Sequence, residues 1–147
     1  MMGACPERVR DQVSNLDQGR LAYRHGPAFP TVGELVNHVS ETGSAVDAAL
    51  RQVCLDGAAE VDVRAALEPN SELAEPEAPA LERLADLGRI RRRTIDLLRG
   101  LPEADWERVL SDPTMGELTV LNFCRLVAAH EMSHLSQVRN LTALLPD

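Results

Sequence analysis

Residues 118–145, LTVLNFCRLVAAHEMSHLSQVRNLTALL, predict a long amphipathic helix. Their apolar and imidazole side chains recur at steps of three and four residues, which places them on one face of an α-helix. This stripe consists of Val120, Phe123, Val127, His130, His134, Val138, Leu141 and Leu145. A stripe of this length must be covered by other elements, and the Leu- and Ala-rich composition with 3% aromatic residues favours helices as those elements.

Two histidines, His130 and His134, interrupt the stripe at a spacing of four residues. Imidazoles at this spacing lie one above the other, about 6 Å apart along the helix axis. Both can then bind one divalent metal ion. The alternative is a pair of core histidines with ordinary hydrogen bonds, and this is less favourable because each buried imidazole needs partners for both ring nitrogens.

The segment from His130 to His134, HEMSH, also matches the H-E-x-x-H pattern of zinc peptidases, in which the glutamate is a general base. Such peptidases take a third ligand from downstream, where this sequence has no histidine and only the carboxylate of Asp147. The pattern therefore does not predict a peptidase. Glu131 lies one position round the helix from His130, so we expect it to be solvated or to support the ligands, with catalytic base as the weaker alternative.

A third ligand must come from earlier in the chain, where the candidates are His25 and His38. His25 lies in a Gly/Pro turn, whereas His38 lies about 10 Å into a second predicted helix. His134 is about 15 Å from the end of the last helix. The three imidazoles of His38, His130 and His134 reach a similar depth only if these two helices are antiparallel, so the metal hypothesis requires that arrangement.

Capping signals and Pro/Gly turns place the other elements. Helices are predicted over residues 6–23, 31–55, 79–99 and 114–144, with a short helix over 102–110 that carries Trp106 at the end of the bundle. Two capping boxes, Thr31-x-x-Glu34 and Thr114-x-x-Glu117, mark the starts of the second and last long helices. Residues 56–79 are acidic and rich in proline, and we expect a crossover connection there, with one helical turn near 61–67, bordering the open side of the site.

Charge and composition narrow the class of protein. The 147 residues, expected to form a single domain, contain 15 basic and 23 acidic side chains, a formal charge of −8. An acidic chain lacks the basic surface that nucleic-acid binding requires. There is no apolar signal-peptide core and no membrane-spanning stretch, and the three cysteines lack metal or disulfide spacing. We therefore expect a cytoplasmic protein with a small-molecule substrate and without nucleic-acid or membrane partners.

Three blocks of the sequence resemble the DinB/YfiT-like superfamily: residues 31–38 (TVGELVNH), 101–106 (LPEADW), and the pair 114–118 (TMGEL) and 130–137 (HEMSHLSQ). The resemblance extends over about residues 30–141 and implies an all-α, DinB-like four-helix bundle with a long crossover connection. It also implies that His38, His130 and His134 hold a divalent metal ion. A homodimer is expected from the same resemblance.

Members of that superfamily include thiol-dependent S-transferases and isomerases that use bacillithiol, mycothiol or glutathione. The resemblance therefore implies a metal-dependent transferase or isomerase with a low-molecular-weight thiol as cofactor. The alternatives are a metal-dependent hydrolase and a non-enzymatic, stress-related bundle whose metal site is vestigial. Zinc suits three imidazoles, and nickel, iron and manganese also fit.

Several other residues are candidates for supporting roles. Glu41 and Gln137 each lie three residues after a proposed ligand and could orient an imidazole or a bound water. A role on the surface is the equal alternative for both. A basic cluster on the third long helix forms either a solvated face or a site for an anionic substrate; its members are Arg89, Arg91, Arg92 and Arg93. Cys124 is expected to be a small buried residue.

Overall fold

The computed structural model of the chain describes residues 5–69 and 80–146. Within these ranges, helices dominate and two short strands pair with each other. The elements in chain order are α1 (Cys5–Val13), α2 (Gln18–Leu21), α3 (Val32–Cys54), α4 (Val63–Leu67), α5 (Ala80–Arg99), α6 (Glu103–Trp106), β1 (Val109–Asp112), β2 (Gly116–Thr119) and α7 (Val120–Ala143).

The four longest helices form a bundle, as the sequence predicts. α1 contacts α5 and α7, and α3 also contacts α5 and α7, so the four helices enclose a common core. On α5 the inward-facing residues recur at steps of three and four, which buries one stripe of the helix. These residues are Leu84, Leu87, Arg91, Thr94 and Leu98.

Core packing shows how the helices run. Val39, in the first half of α3, packs in one cluster with Val138 near the end of α7, while Leu50 packs in a second cluster with Phe123 near the start of α7. α3 and α7 are therefore antiparallel, which is the arrangement that the metal hypothesis requires. On α5, Leu84 belongs to the first cluster and Leu98 to the second, so α5 runs parallel to α3.

Two parallel helices that follow each other in the chain need a connection that returns along the bundle. This connection contains α4, capped by the Asp62 side chain, which accepts a hydrogen bond from the Ala65 N–H at 3.0 Å. The predicted helical turn in the crossover is thus confirmed. The rest of the predicted crossover, residues 70–79, lies outside the described residues.

The capping box at Thr31 is confirmed and begins α3. The Thr31 hydroxyl accepts a hydrogen bond from the Glu34 N–H, and the Glu34 carboxylate accepts one from the Thr31 N–H, both at 3.0 Å. The prediction of a single helix over 6–23 is wrong, because the helix is interrupted between α1 and α2. There the Asp17 side chain accepts a hydrogen bond from the Arg20 N–H and starts a new helix.

The second predicted capping box, Thr114-x-x-Glu117, is wrong because this segment forms a β-hairpin. β1 pairs with β2 in antiparallel register, with Leu110 opposite Leu118. The Asp112 carboxylate accepts hydrogen bonds from the N–H groups of Thr114 and Met115, at 2.8 and 2.7 Å, and so stabilises the turn instead of a helix. Gly116 follows with φ of 80°, a conformation that favours glycine.

α7 consequently begins six residues later than predicted, at Val120, where the Thr119 hydroxyl accepts a hydrogen bond from the Asn122 N–H. The short helix predicted over 102–110 is also shorter, since β1 takes its second half. Trp106 packs with the second core cluster, and α6 contacts α7, which confirms the predicted position of the tryptophan at the bundle end. Among the described residues, no helix is long and apolar enough to cross a membrane.

Candidate metal centre

The bundle brings the three predicted histidines together. His38 comes from α3, His130 and His134 come from successive turns of α7, and a fourth group, Glu68, follows α4 in the crossover. One potential ligand atom from each residue lies within 4.8 Å of the others. His38 and His134 are buried, His130 is half-buried, and the Glu68 side chain is 48% exposed.

The distances between these atoms suit a shared cation. His130 Nε2 lies 2.7 Å from His134 Nε2, and the two Glu68 oxygens lie 3.3 Å from His38 Nε2 and 3.6 Å from His130 Nε2. Ligands that share a tetrahedral zinc at about 2.0–2.1 Å lie roughly 3.3–3.4 Å apart. The cluster is therefore compact enough to bind one ion with small side-chain adjustments.

Gln137 contacts one imidazole, which is one of the roles that the sequence leaves open for it. Its Oε1 lies 2.7 Å from His134 Nδ1. Because an amide oxygen only accepts, His134 Nδ1 carries the hydrogen and donates it, which leaves the lone pair on Nε2 facing His130. An imidazole held in this tautomer by an outer hydrogen bond is the usual form of a histidine metal ligand.

The electrostatic environment keeps the imidazoles neutral. Burial is the main cause that lowers the pKa of His38, His130 and His134 below the usual 6.5. The imidazoles also oppose one another's protonation, while the Glu68 carboxylate acts in the opposite direction and partly offsets the fall. Neutral imidazole is the form that binds metals, so binding near neutral pH displaces few protons from these residues.

Glu68 is the member of the cluster that the sequence analysis missed. It is one of several acidic residues in the crossover, and no local spacing relates it to His38 or His130. Only the path of the chain after α4 places its carboxylate beside the imidazoles. The acidic crossover could have indicated that a carboxylate faces the site, but not which one.

Glu131 lies elsewhere, and the expectation that it is solvated is wrong. Its side chain is 6% exposed and forms an ion pair with Arg91 of α5. Burial raises the pKa of Glu131 to about 7, and the Arg91 charge opposes that rise. The carboxylate thus joins α7 to α5 across the bundle core and is not a member of the histidine cluster.

The other candidate residues from the sequence, Glu41, His25 and Cys124, do not belong to the histidine cluster. Glu41 accepts a hydrogen bond from Asn37 Nδ2 at 3.3 Å, on the helix that carries His38. His25 is exposed and stacks edge-on against Phe29, with ring centroids 5.1 Å apart. Cys124 is buried, as expected, and burial raises the pKa of its thiol to about 11.

The predicted basic cluster does not reach the histidines within the described part of the chain. Arg91 is buried against Glu131, and Arg89 pairs with Asp86 on the surface. Arg89, Arg91 and Arg92 line a separate cavity of about 220 Å³ between α1 and α5.

The fold and the site together define a four-helix bundle with a histidine-rich cluster between α3 and α7. The sequence profile of the DinB superfamily matches residues 2–138, and the chain belongs to this superfamily. No curated protein matches the chain in sequence.

Among solved structures, the chain is similar to YfiT from Bacillus subtilis, described as a probable metal-dependent hydrolase with an unusual four-helix bundle topology. The two structures superpose with a TM-score of 0.81 at 17% sequence identity, over 97% of this chain and 82% of YfiT. At this identity the likeness establishes the fold.

Proposed function

We propose that this protein is a divalent-metal-dependent enzyme in which His38, His130 and His134 hold the ion. The observation that carries the proposal is the convergence of three imidazoles, each with a lowered pKa, on a half-exposed carboxylate. Zinc is the proposed ion because it binds imidazole well, and nickel, iron and manganese also fit. A divalent ion held by three neutral imidazoles lowers the pKa of a bound water or thiol and supplies a nucleophile at neutral pH.

We propose hydrolysis as the first candidate reaction because of the position of Glu68. Its carboxylate lies within 3.3–3.6 Å of two imidazoles and is half-exposed, so it can accept a proton in the site and release it to solvent. Glu68 thus has the position of a general base when the three imidazoles alone hold the ion. Gln137 would keep His134 oriented during the reaction.

A thiol-dependent S-transferase or isomerase is the second candidate. Arg64 lines the cavity beside His130 and places a cation near the site. A low-molecular-weight thiol such as glutathione carries carboxylates that an exposed guanidinium can bind. In this reaction the thiol would be the nucleophile, and Arg64 would position it.

One set of measurements separates these candidates. Metal-free protein is prepared with a chelator and titrated calorimetrically with zinc, nickel and manganese, with His25→Ala as the control for histidine loss. We expect one tight site, lost in His38→Ala and kept in His25→Ala. Absence of a tight site, or a site that persists in His38→Ala, would contradict the proposal.

The loaded protein is then assayed for ester hydrolysis and for conjugation of glutathione, mycothiol or bacillithiol to an electrophile. Hydrolysis predicts a large loss of activity in Glu68→Gln and a small effect in Arg64→Gln. Thiol transfer predicts the reverse, with the Arg64→Gln effect in the KM for the thiol. A metal-binding protein without either activity would be the non-enzymatic bundle.

We further propose a small-molecule substrate, a cytoplasmic location and a homodimer. The cavity beside His130 supports the first, and the family resemblance suggests the last. Sedimentation of the metal-loaded protein at several concentrations tests the dimer.

A further inference from the structure

A cavity of about 270 Å³ opens directly beside His130. Its walls come from the crossover on one side and from the β1–β2 hairpin on the other. The lining residues are Val63, Arg64, Leu67, Glu68, Asp112, Thr114, Met115 and His130. Two of them, Glu68 and His130, belong to the proposed metal centre, so the cavity and the centre share a wall.

We propose that this cavity binds a small apolar substituent of the substrate and selects molecules that carry such a group beside the reacting centre. The proposal rests on the proposed function, because the shared residues Glu68 and His130 mark the reactive end of the cavity. The lining also includes the hydrocarbon side chains of Val63, Leu67 and Met115.

Asp112 is a buried polar side chain among the lining residues, and it is already engaged. The Asp112 carboxylate accepts hydrogen bonds from the N–H groups of Val63, Thr114 and Met115, at 2.7 to 2.8 Å. The hydrogen bond from Val63 is the main cause that holds the pKa of Asp112 below its usual value. Asp112 is 4% exposed, so its polar atoms are directed at the backbone and do not favour a polar ligand.

The size of the cavity limits the substituent. A volume of about 270 Å³ corresponds to about nine waters at roughly 30 Å³ each in the liquid. This is below the range of about 300–1,000 Å³ for drug-sized ligands and above the roughly 150 Å³ that holds benzene, so a short alkyl chain or a single ring fits with room to spare. Met115 is unbranched and can adjust to groups of different shape.

Two further cavities differ from the cavity beside His130 in the residues that line them. The cavity between α1 and α5 is lined by arginines, and a cavity of about 410 Å³ beside β1 is lined by Glu60 and Asp62 among others. Neither is lined by one of the three clustered histidines in the described part of the chain. The apolar cavity is therefore the one placed to act with the metal centre.

The test uses metal-free protein labelled with ¹³C at the methionine methyl groups and in the histidine rings. Pentan-1-ol is the apolar probe, and pentane-1,5-diol is the polar control of similar length. We expect saturable shifts of the Met115 methyl and the His130 ring with pentan-1-ol, and binding about tenfold weaker for the diol. Met132 is an internal control, because it is 47% exposed, close to the 52% of Met115, and does not line the cavity.

Matched variants complete the test. Met115→Gln should weaken pentan-1-ol binding, read at His130, by about tenfold, whereas Met132→Gln should leave it unchanged. Equal shifts at Met115 and Met132, or equal affinity for the two alcohols, would overturn the proposal. Zinc titration of both variants distinguishes the cavity proposal from the proposed metal centre. Normal zinc binding without selectivity for the apolar probe would refute the cavity proposal alone. Absence of zinc binding would refute the metal centre.

Discussion

Arg91 of α5 and Glu131 of α7 form an ion pair in the bundle core, with side chains 3% and 6% exposed. Glu131 directly follows His130, so this pair fixes α5 against the helix that carries two proposed ligands. Its two partners lie 40 residues apart in the chain. The pair is therefore a tertiary contact and not a local feature of one helix.

Replacement of one partner of this pair should lower the free energy of unfolding far more than replacement of both. Arg91→Met leaves a buried carboxylate and should lower the free energy of unfolding by about 3–5 kcal/mol. The double variant Arg91→Met, Glu131→Met should lose less than the sum of the single effects, because no unpaired charge remains. Urea unfolding at pH 8 of Arg91→Met, Glu131→Met and the double variant measures the three effects. Additive effects would show that the pair is not coupled.

Replacement of a helical glycine by alanine should have opposite effects on stability at two positions. A Cβ at Gly43 of α3 would overlap Leu87 Cδ1, whereas a Cβ at Gly88 of α5 would meet only Arg92 Nη1, at 3.8 Å. Gly43→Ala should therefore destabilise the protein by about 1–3 kcal/mol through overpacking. Gly88→Ala should stabilise it by up to about 1 kcal/mol through helix propensity. Thermal unfolding of the two variants tests this, and equal signs would contradict it.

His38→Ala is predicted to abolish tight metal binding while the helices remain. The remaining ligand pair on α7 supplies only two nitrogens, and the loss should exceed the 10–100-fold typical of changes outside the ligand set. The bundle should survive because its two core clusters do not include the histidines. Metal content after dialysis and far-UV circular dichroism measure the two outcomes. His25→Ala is the control, and retention of a full equivalent of metal by His38→Ala would refute the ligand set.

Gln137→Ala should weaken metal binding by about 10–100-fold without loss of the fold. The physical reason is the hydrogen bond to His134 Nδ1, which holds the ring and its tautomer. Asn140→Ala, at an exposed amide on the same helix, is the matched control. Equal zinc affinities for the two variants would show that the hydrogen bond does not orient the ligand.

The histidine cluster also predicts a pH dependence of the metal-free protein. The pKa values of His38, His130 and His134 are lowered in the fold, so below pH 6.5 the unfolded chain binds more protons than the native protein. The contribution of these residues is complete above pH 6.5 and is lost as the pH falls through their native pKa values. Glu131 acts in the opposite direction between pH 4.5 and about 7, because its pKa is raised.

One variant separates the contribution of the histidines from that of Glu131. His38→Gln should show a shallower loss of stability than the parent protein as the pH falls from 6.5 to 4. Denaturant unfolding at several pH values measures the slopes. Parallel curves for the two proteins would mean that His38 has no lowered pKa.

The sequence predicted the parts of this protein that depend on local patterns. Thr31 and Glu34 begin α3, and the spacing of His130 and His134 places both on the face of α7 that meets His38. The same local pattern at Thr114 was misleading, because Asp112 captures the N–H groups that a helix start would use. Glu68 could not be predicted, because its position depends on how the crossover folds back onto the bundle.

Because α3 and α5 run parallel, the chain between them must return along the length of the bundle. α3 has 23 residues and is about 35 Å long. The 25 residues between Cys54 and Ala80 could extend over roughly 80–90 Å. The connection is thus more than twice the length that it must cover, and doubling a flexible loop costs only about 0.6 kcal/mol. Residues 55–57 of the connection are exposed, so insertions there should cost the bundle little. Val63 and Ala66 instead pack in the second core cluster, so α4 and the wall beside Glu68 are fixed to the helices that carry the histidines. Variation in length is thus confined to the approach to the site, and the wall of the site varies only by substitution.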